Sequence, residues 1–443
     1  MKIRFVTLGC KLNFAESSAI GKALLQRGHT RAKQGEEADI CVINTCSVTD
    51  NADHKDRQTI HRIHRQNPNA IIIVTGCYAQ LQPEQIAQIE GVDYVLGQNE
   101  KYEITQLVDD IERLRDSLED ASLQDAASGY SLEAQKIRVA NIREVEEFHG
   151  VHSADDRTRC FLKVQDGCNY FCSYCTIPYA RGKSRNPKIS DIIKDAQEAI
   201  LQGAKEIILT GVNIGDFGRS TGESFLELLR ALDGLEAKGE RREAKGMDYR
   251  IRISSCEPNL LTDEIIDFVA QSKHFAPHFH IPLQSGSNEV LSIMKRRYTR
   301  ELFEERVQHI KQVMPHAFIG VDCMVGVRGE TEECFNDYVE FIKRLDVSQL
   351  HVFTYSERAN TRMLELDVCI VPKAERQRRS KILHEISEEK TRTFYANQTG
   401  RELVVLWESK KEGDQMAGFT ENYVKVYRPY DKEKVNTFEV IRL

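Results

Sequence analysis

Three cysteines form a C-x3-C-x2-C motif, Cys168, Cys172 and Cys175, in a loop that follows a predicted strand. Three thiolates on one tight loop can bind three irons of a 4Fe-4S cluster and leave the fourth iron without a protein ligand. An iron of that kind is open to substrate. Structural zinc is the alternative, but closed zinc sites use four protein ligands and no fourth His or Cys adjoins the motif. The spacing therefore indicates a reactive iron–sulfur cluster.

A second set of cysteines ends three successive strands that are predicted near the N-terminus, Cys10, Cys46 and Cys77. The carboxyl ends of adjacent parallel strands converge on one crevice, so the three thiols are expected to meet there. Small neighbours such as Gly9 and Gly76 let a bulky cluster approach the backbone. One such cysteine alone would be interpreted as a packing thiol. Three in equivalent positions favour a second metal cluster.

The elements that must position these cysteines fall into segments. Residues 1–115 alternate apolar runs with helical patterns, which predicts a parallel α/β domain, and the acidic residues 116–150 are interpreted as a linker. Residues 151–372 contain six further β-α units, which predicts a partial (β/α)6 barrel. Residues 373–395 form a charged connecting helix, and 396–443 contain short strands typical of a small all-β barrel. The expected fold class is thus α/β with a β-rich end.

Composition limits the function classes. The 443 residues carry 61 Lys and Arg against 68 Asp and Glu, a formal charge of −7, so any nucleic-acid surface must be local. No apolar run reaches the roughly 18 residues of a membrane span, so no membrane association is expected. The apolar run 5–8 is shorter than the about 7 to 15 residues of an export signal. We therefore expect a cytoplasmic protein, where clustered cysteines more often bind metal than form disulfides.

Two basic runs could supply local phosphate contacts. Arg181, Lys183 and Arg185 follow the C-x3-C-x2-C loop, and residues 295–297 (Lys-Arg-Arg) lie near the predicted barrel mouth. A solvated surface run is the alternative, and for residues 295–297 the two interpretations are equally supported.

In the β-rich end, Tyr423, Lys425 and Tyr427 alternate with valines. Alternation places two aromatic rings and a cation on one face of a strand, which suits single-stranded RNA. An ordinary half-buried strand is the alternative.

The C-x3-C-x2-C loop resembles that of the radical S-adenosylmethionine enzymes. The resemblance implies that the open iron chelates S-adenosylmethionine and that one electron from the cluster cleaves it to a 5′-deoxyadenosyl radical. Tyr174 stands where that superfamily keeps an aromatic residue near the adenine. The loops after the second and third barrel strands hold further candidate contacts to the cofactor: Gly211, Asn213, Ser255 and Glu257. A loop without a role in cofactor binding is the alternative.

The two cysteine sets together resemble the methylthiotransferases, and the likeness covers nearly the whole chain. That family joins a three-cysteine N-terminal domain, a radical barrel and a C-terminal TRAM domain. The resemblance implies two 4Fe-4S clusters, the auxiliary one on Cys10, Cys46 and Cys77 presenting a sulfur atom at its open iron. One S-adenosylmethionine would methylate that sulfur. Another would supply the radical that activates a carbon to capture the methylthio group.

Within the family, residues 7–13, 174–185 and 209–218 are most similar to the branch that acts on N6-threonylcarbamoyladenosine in tRNA. Residues 418–424 resemble the core of TRAM domains, which deliver RNA, and this implies RNA contacts by Phe419, Tyr423 and Lys425. Arg328 departs from the Phe-Pro that many members carry before Gly-Glu-Thr.

The resemblance implies a cytoplasmic transferase that places a methylthio group on carbon 2 of this nucleoside at position 37. Its partners would be tRNA and an electron donor such as flavodoxin or ferredoxin. Two alternatives stay open at this point. One is a methylthiotransferase that modifies a ribosomal-protein aspartate, and the other is an RNA-binding protein whose cysteines hold zinc.

Overall fold

The computed structural model describes residues 1–33, 35–120, 136–153, 158–235 and 248–443. The chain divides into two compact units. The first comprises Met1–Glu146 with Thr176–Lys183, and the second comprises Glu147–Cys175 with Ser184–Leu443. Within the described residues, no helix is long and apolar enough to cross a membrane.

The strands and helices follow one another as the sequence pattern predicts. The strands are β1 (Lys2–Thr7), β2 (Thr30–Arg31), β3 (Ile40–Thr45), β4 (Ile71–Gly76), β5 (Tyr94–Leu96), β6 (Ile137–Arg138), β7 (Arg159–Lys163), β8 (Glu206–Thr210), β9 (Arg250–Ile253), β10 (His278–Gln284), β11 (Phe318–Val325), β12 (Gln349–Thr354), β13 (Glu402–Glu412), β14 (Gln415–Thr420), β15 (Lys425–Pro429) and β16 (Phe438–Arg442). The helices are α1 (Lys11–Gln26), α2 (Asp50–Gln66), α3 (Cys77–Leu81), α4 (Pro83–Ala87), α5 (Ile104–Asp120), α6 (Ile177–Arg181), α7 (Ile189–Leu201), α8 (Phe225–Asp233), α9 (Asp263–Gln271), α10 (Asn288–Ile293), α11 (Arg300–Val313), α12 (Glu332–Arg344) and α13 (Lys373–Ala396).

The first unit is built on a six-stranded parallel sheet in the order β2-β1-β3-β4-β5-β6. Every residue of β3 is buried, because helices cover both faces of a parallel sheet and its central strands are mostly apolar. The predicted boundary at residue 115 falls inside α5, and part of the predicted linker 116–150 forms β6. Residues 121–135 of that linker lie outside the described residues.

The second unit contains the six predicted parallel strands as two three-stranded sheets, β7-β8-β9 and β10-β11-β12. Parallel bridges from Ile251 to Phe275 and from Ser255 to His280 link the two sheets, so the strands form one partial barrel. One face of these strands packs on the helices through residues such as Ile207 and Ile251. Alternate residues, which point to the other face, are largely polar. The partial (β/α)6 barrel is confirmed.

After α13, four antiparallel strands form a curled sheet in the order β15-β14-β13-β16, in agreement with the predicted all-β end. We call residues 402–443 the C-terminal β-domain. The predicted strand 423–427 begins only at Lys425. Tyr423 precedes it with a left-handed φ of 69°, so the alternation inferred for Tyr423 and Lys425 does not hold.

A buried ion network joins the C-terminal β-domain to the starts of three barrel strands. Glu206, fully buried at the start of β8, lies 2.5 Å from Arg250, 2.9 Å from Arg252 and 3.6 Å from Arg159. Arg250 donates to the carbonyls of Val404 (3.2 Å) and Phe419 (3.3 Å), and Arg252 donates to the carbonyl of Glu421 (3.2 Å). The same charges therefore stabilise the barrel and anchor the β-domain.

Aromatic residues of the C-terminal β-domain pack against the arginines of this junction. The guanidinium of Arg159 lies 4.2 Å from the ring centroid of Phe419, and that of Arg252 lies 4.8 Å from the ring centroid of Tyr423. Tyr423 also contacts Phe318 at the start of β11, with ring centroids 5.4 Å apart. Phe419 and Tyr423 are half-buried in this junction, and the RNA contacts predicted for them stay a prediction.

Candidate iron–sulfur and cofactor sites

The N-terminal cysteines lie at the carboxyl ends of three adjacent strands. Cys46 and Cys77 directly follow β3 and β4, and Cys10 begins α1 just after β1. All three are free thiols. A Cβ atom on Gly9 would lie 2.5 Å from the Cβ of Cys46, so only glycine lets these two loops approach so closely. The structure thus brings the three predicted residues to one edge of the sheet.

The electrostatics of this edge favour a metal cluster over free thiolates. Burial and the neighbouring thiols of Cys77 and Cys10 raise the pKa of Cys46 to about 12, and burial raises the pKa of Cys77. As free thiolates, these buried groups would repel one another. Bound metal cations neutralise that charge and so stabilise the deprotonated form.

Polar side chains hold the three cysteines in place. Gln98 Nε2 donates to Cys77 Sγ at 3.2 Å, and the backbone N–H of Cys46 donates to Asp56 Oδ2 at 2.8 Å. Burial raises the pKa of Asp56 to about 8. Lys101 donates to Gln98 and forms a 2.5 Å ion pair with the fully buried Glu16. Gln98 and Glu16 could not be predicted from the sequence, because neither belongs to a recognisable spacing.

Arg181 belongs to this network and not to an RNA surface. Its guanidinium is 1% exposed, pairs with Glu16 Oε1 at 3.1 Å and donates to Asn13 Oδ1 at 2.6 Å. Burial raises the pKa of the Cys77 thiol, and the charge of Arg181 is the largest influence that opposes this rise. The predicted RNA contact of Arg181 is contradicted, because its side chain is buried and paired with the buried Glu16.

Arg185 is contradicted as an RNA contact for the same reason. It is buried in the second unit, where it lies 3.3 Å from Asp166 Oδ2 and donates to the carbonyl of Glu147 at 2.9 Å. Lys183 is exposed, and its predicted RNA contact stays a prediction.

The C-x3-C-x2-C loop follows β7, as predicted. Cys172 is buried, while Cys168 and Cys175 are half-buried. The loop is folded by Gly167 and Phe171, which have φ values of 69° and 52°. Ser173 anchors it, since its hydroxyl donates to the carbonyl of Ile293 at 2.7 Å. Burial raises the pKa of Cys168 to about 12.

The basic run 295–297 braces this loop. Arg296, whose side chain is 4% exposed, donates to Cys172 Sγ at 3.1 Å and to the Tyr174 hydroxyl at 3.4 Å, and forms an ion pair with Glu257. Arg297 donates to the carbonyl of Asn169 at 2.9 Å, and its guanidinium lies 4.1 Å from the Tyr170 ring centroid. Arg296 is therefore not part of a solvated surface run, because its buried guanidinium donates to the sulfur of Cys172.

The candidate cofactor contacts border the same loop. The buried amide of Asn213 lies beside Tyr170 and makes no hydrogen bond of normal geometry to a described residue. Gln165 Oε1 accepts from the backbone N–H groups of Val212 (2.9 Å) and Asn213 (2.8 Å) and so fixes the loop after β8. Sequence reasoning missed Gln165, because a lone amide carries no pattern.

Comparisons with known proteins agree with this geometry. The family model described as "Uncharacterized protein family UPF0004" matches residues 2–97, and the model described as "Radical SAM superfamily" matches residues 162–342. A solved radical S-adenosylmethionine methyltransferase, TsrM from Kitasatospora setae, is similar with a TM-score of 0.54 and 16% identity, over 80% of this chain and 72% of that one. The barrel with its cysteine loop therefore has a radical S-adenosylmethionine fold.

Relatives of known function extend the match to the whole chain. Threonylcarbamoyladenosine tRNA methylthiotransferase MtaB of Bacillus subtilis (strain 168) is 37% identical over 96% of this chain and 89% of the relative. The MtaB of Aquifex aeolicus (strain VF5) is 35% identical over 98% of each. The chain belongs to the MtaB-type family of radical S-adenosylmethionine methylthiotransferases.

The cofactors of this family fit the residues present. They are two 4Fe-4S clusters and S-adenosylmethionine. Each cysteine set offers three free thiols at the carboxyl ends of parallel strands, the ligand type that such clusters require. The buried, unsatisfied amide of Asn213 offers a polar group to a ligand beside the second set.

Removing the charge of Arg296 is predicted to change the cluster held by the C-x3-C-x2-C loop. In Arg296→Met, we expect the cluster to assemble with a more negative reduction potential, because a buried cation and a hydrogen bond to Cys172 Sγ no longer stabilise the added electron. Potentiometric titration followed by electron paramagnetic resonance measures this shift. Arg297→Met is the matched control, and an equal shift in both variants would contradict the assignment.

Proposed function

We propose that the chain is a tRNA methylthiotransferase that adds a methylthio group to carbon 2 of N6-threonylcarbamoyladenosine at position 37. The observation that carries the proposal is the presence of two separate sets of three free cysteines in a chain that aligns over nearly its full length with MtaB relatives. This favours an enzyme over a zinc-containing RNA-binding protein.

Cys168, Cys172 and Cys175 are proposed to hold the radical-generating cluster, and Cys10, Cys46 and Cys77 the auxiliary one. When bound, these groups and S-adenosylmethionine supply the 5′-deoxyadenosyl radical and the methylthio group. The chain's own residues fix the sulfur ligands: Arg296 orients Cys172, and Gln98 orients Cys77.

The proposed contacts to S-adenosylmethionine are Tyr174, Gly211, Asn213, Ser255 and Glu257. In support, Gln165 holds the loop of Gly211 and Asn213 rigid through two backbone hydrogen bonds. A methyl group on Gly211 would meet the Ile214 side chain at 2.6 Å, so the tight packing of this loop favours glycine here.

The tRNA is proposed to contact Lys183 and the exposed face of β15. Tyr427 is 50% exposed, and Lys425 Nζ lies 4.7 Å from its ring centroid. The ring and the cation thus present the stacking and charge that RNA bases and phosphates require. We propose a flavodoxin or ferredoxin as the electron donor and the cytoplasm as the location.

A nucleoside assay tests the substrate. The chain is expressed in a bacterial strain that lacks its own MtaB, and tRNA nucleosides and ribosomal proteins are measured by mass spectrometry. We expect 2-methylthio-N6-threonylcarbamoyladenosine to appear and the ribosomal proteins to stay unchanged. A methylthio group on a ribosomal-protein aspartate, with none on tRNA, would assign the other substrate class.

Truncating Tyr427 is predicted to weaken tRNA binding. A base stacked on an aromatic ring contributes about 1–3 kcal/mol, so Tyr427→Ala is expected to raise the Kd for tRNA roughly tenfold. Reductive cleavage of S-adenosylmethionine without tRNA is expected to stay at the wild-type rate. Leu201→Ala, another exposed apolar position, serves as control, and unchanged tRNA affinity in Tyr427→Ala would exclude this face.

A further inference from the structure

Strand register brings two histidines and one aspartate together on the polar face of the barrel. β10 pairs His280 with Gly320, and β12 pairs His351 with Asp322. Because Gly320 and Asp322 lie two residues apart on β11, all these side chains share one face. In the part of the chain that the structure describes, His280, Asp322 and His351 are the one group of His, Cys, Asp or Glu residues whose ligand atoms all lie within 4.8 Å of one another.

The distances match those between the ligands of a small tetrahedral cation. His280 Nε2 lies 2.8 Å and His351 Nδ1 lies 3.6 Å from Asp322 Oδ1. Bonds of about 2.0–2.1 Å to zinc place tetrahedral ligands roughly 3.3 Å apart, a value between the two observed distances. Two imidazoles and one carboxylate are also the donor types that zinc and its neighbours in the first transition series prefer.

A neighbouring hydroxyl orients the first ligand. Ser255 Oγ lies 2.8 Å from His280 Nδ1, which leaves Nε2 of that ring directed at Asp322. Hydrogen bonds of this kind to the second ring nitrogen are typical of metal-bound histidines, because they fix the tautomer and the ring orientation.

Exposure gives the site an entrance. The side chains of His280 and Asp322 are 15% and 17% exposed, whereas that of His351 is 41% exposed. An ion can therefore enter beside His351 and become bound against the two more deeply placed ligands.

We propose that His280, Asp322 and His351 bind one divalent transition-metal ion of the Zn²⁺ type, with the fourth coordination position open. The site uses no cysteine. A second pair, His309 with Asp267 at 2.7 Å, has the same two donor types without a third ligand and is the matched control.

The experiment uses the full chain with both iron–sulfur clusters reconstituted, so that the cysteines are occupied. The protein is dialysed anaerobically against micromolar Zn²⁺, metal content is measured by mass spectrometry, and the zinc environment is measured by X-ray absorption. We expect one zinc per chain with nitrogen and oxygen ligands at about 2.0–2.1 Å. His351→Ala is expected to lower the affinity for zinc more than about tenfold, while His309→Ala leaves it unchanged.

Three outcomes would overturn the proposal: substoichiometric zinc in the wild-type chain, sulfur ligands at about 2.3 Å, or full zinc binding by His351→Ala. His351 is partly exposed, so its variant is expected to fold, and an unchanged iron content verifies this. If His280→Ala does not fold, the wild-type absorption spectrum and His351→Ala still decide the question.

Discussion

Cys172→Ala is expected to abolish reductive cleavage of S-adenosylmethionine, whereas Cys46→Ala leaves cleavage measurable and stops methylthiolation. The reason is that the two cysteine sets lie in different compact units and each set supplies the ligands of its own proposed cluster. Cys172 is the buried member of its set and the one whose sulfur accepts from Arg296. The measurements are 5′-deoxyadenosine formed under a strong reductant, and 2-methylthio nucleosides in tRNA.

Two cysteines outside the sets are matched controls for this experiment. Cys41 is buried near the start of β3, the strand that ends just before Cys46, and Cys369 is exposed in the second unit. Alanine at either position is expected to preserve both cleavage and methylthiolation. Normal methylthiolation by Cys172→Ala and Cys46→Ala would show that the two-cluster assignment is wrong.

Glu206→Gln is expected to destabilise the second unit by about 3–5 kcal/mol, because it leaves the buried Arg250 and Arg252 without their shared carboxylate. Burial alone would raise the pKa of Glu206, but the guanidinium groups of Arg250, Arg252 and Arg159 outweigh it and hold the pKa well below 4.5. A group with a lowered pKa contributes its full stability above its ordinary pKa and loses it as the pH falls through the folded-state value. The difference in unfolding free energy between wild type and variant is therefore constant above about pH 4.5 and shrinks below it.

Urea unfolding at several pH values measures this difference, and limited proteolysis reports release of the C-terminal β-domain. Glu408→Gln is the matched control, since Glu408 pairs with Arg159 at 2.6 Å but is 27% exposed. Its loss is expected to cost about 1 kcal/mol or less. Equal effects of the two variants would contradict the central role of Glu206.

Much of the fold could be predicted because short apolar or alternating runs recur between helical patterns. The six barrel strands and the six cysteines were identified from the sequence, since each cysteine stands at a strand end or in a tight motif. The edge strands β2 and β6 were missed because each is only two residues long. Arg181 and Arg185 were misassigned because a basic run does not reveal buried acids such as Glu16 that pair with it across the fold.

Other features of the sites could not be predicted either, because they depend on contacts between residues that are distant in the sequence. His280, Asp322 and His351 stand on three different strands, so only the pairing register brings them together. The alternation expected of a strand fails at Tyr423, because this residue has a left-handed backbone conformation and precedes β15.

The segment Thr176–Lys183 leaves the second unit, joins the first and returns. A fragment cut at Glu147 to isolate the barrel would therefore retain Arg181 but lack the Glu16 carboxylate that neutralises it. Such a truncation would leave Arg181 without its carboxylate partner inside the retained polypeptide. Expression of the barrel alone therefore requires that the segment Thr176–Lys183 be replaced as well.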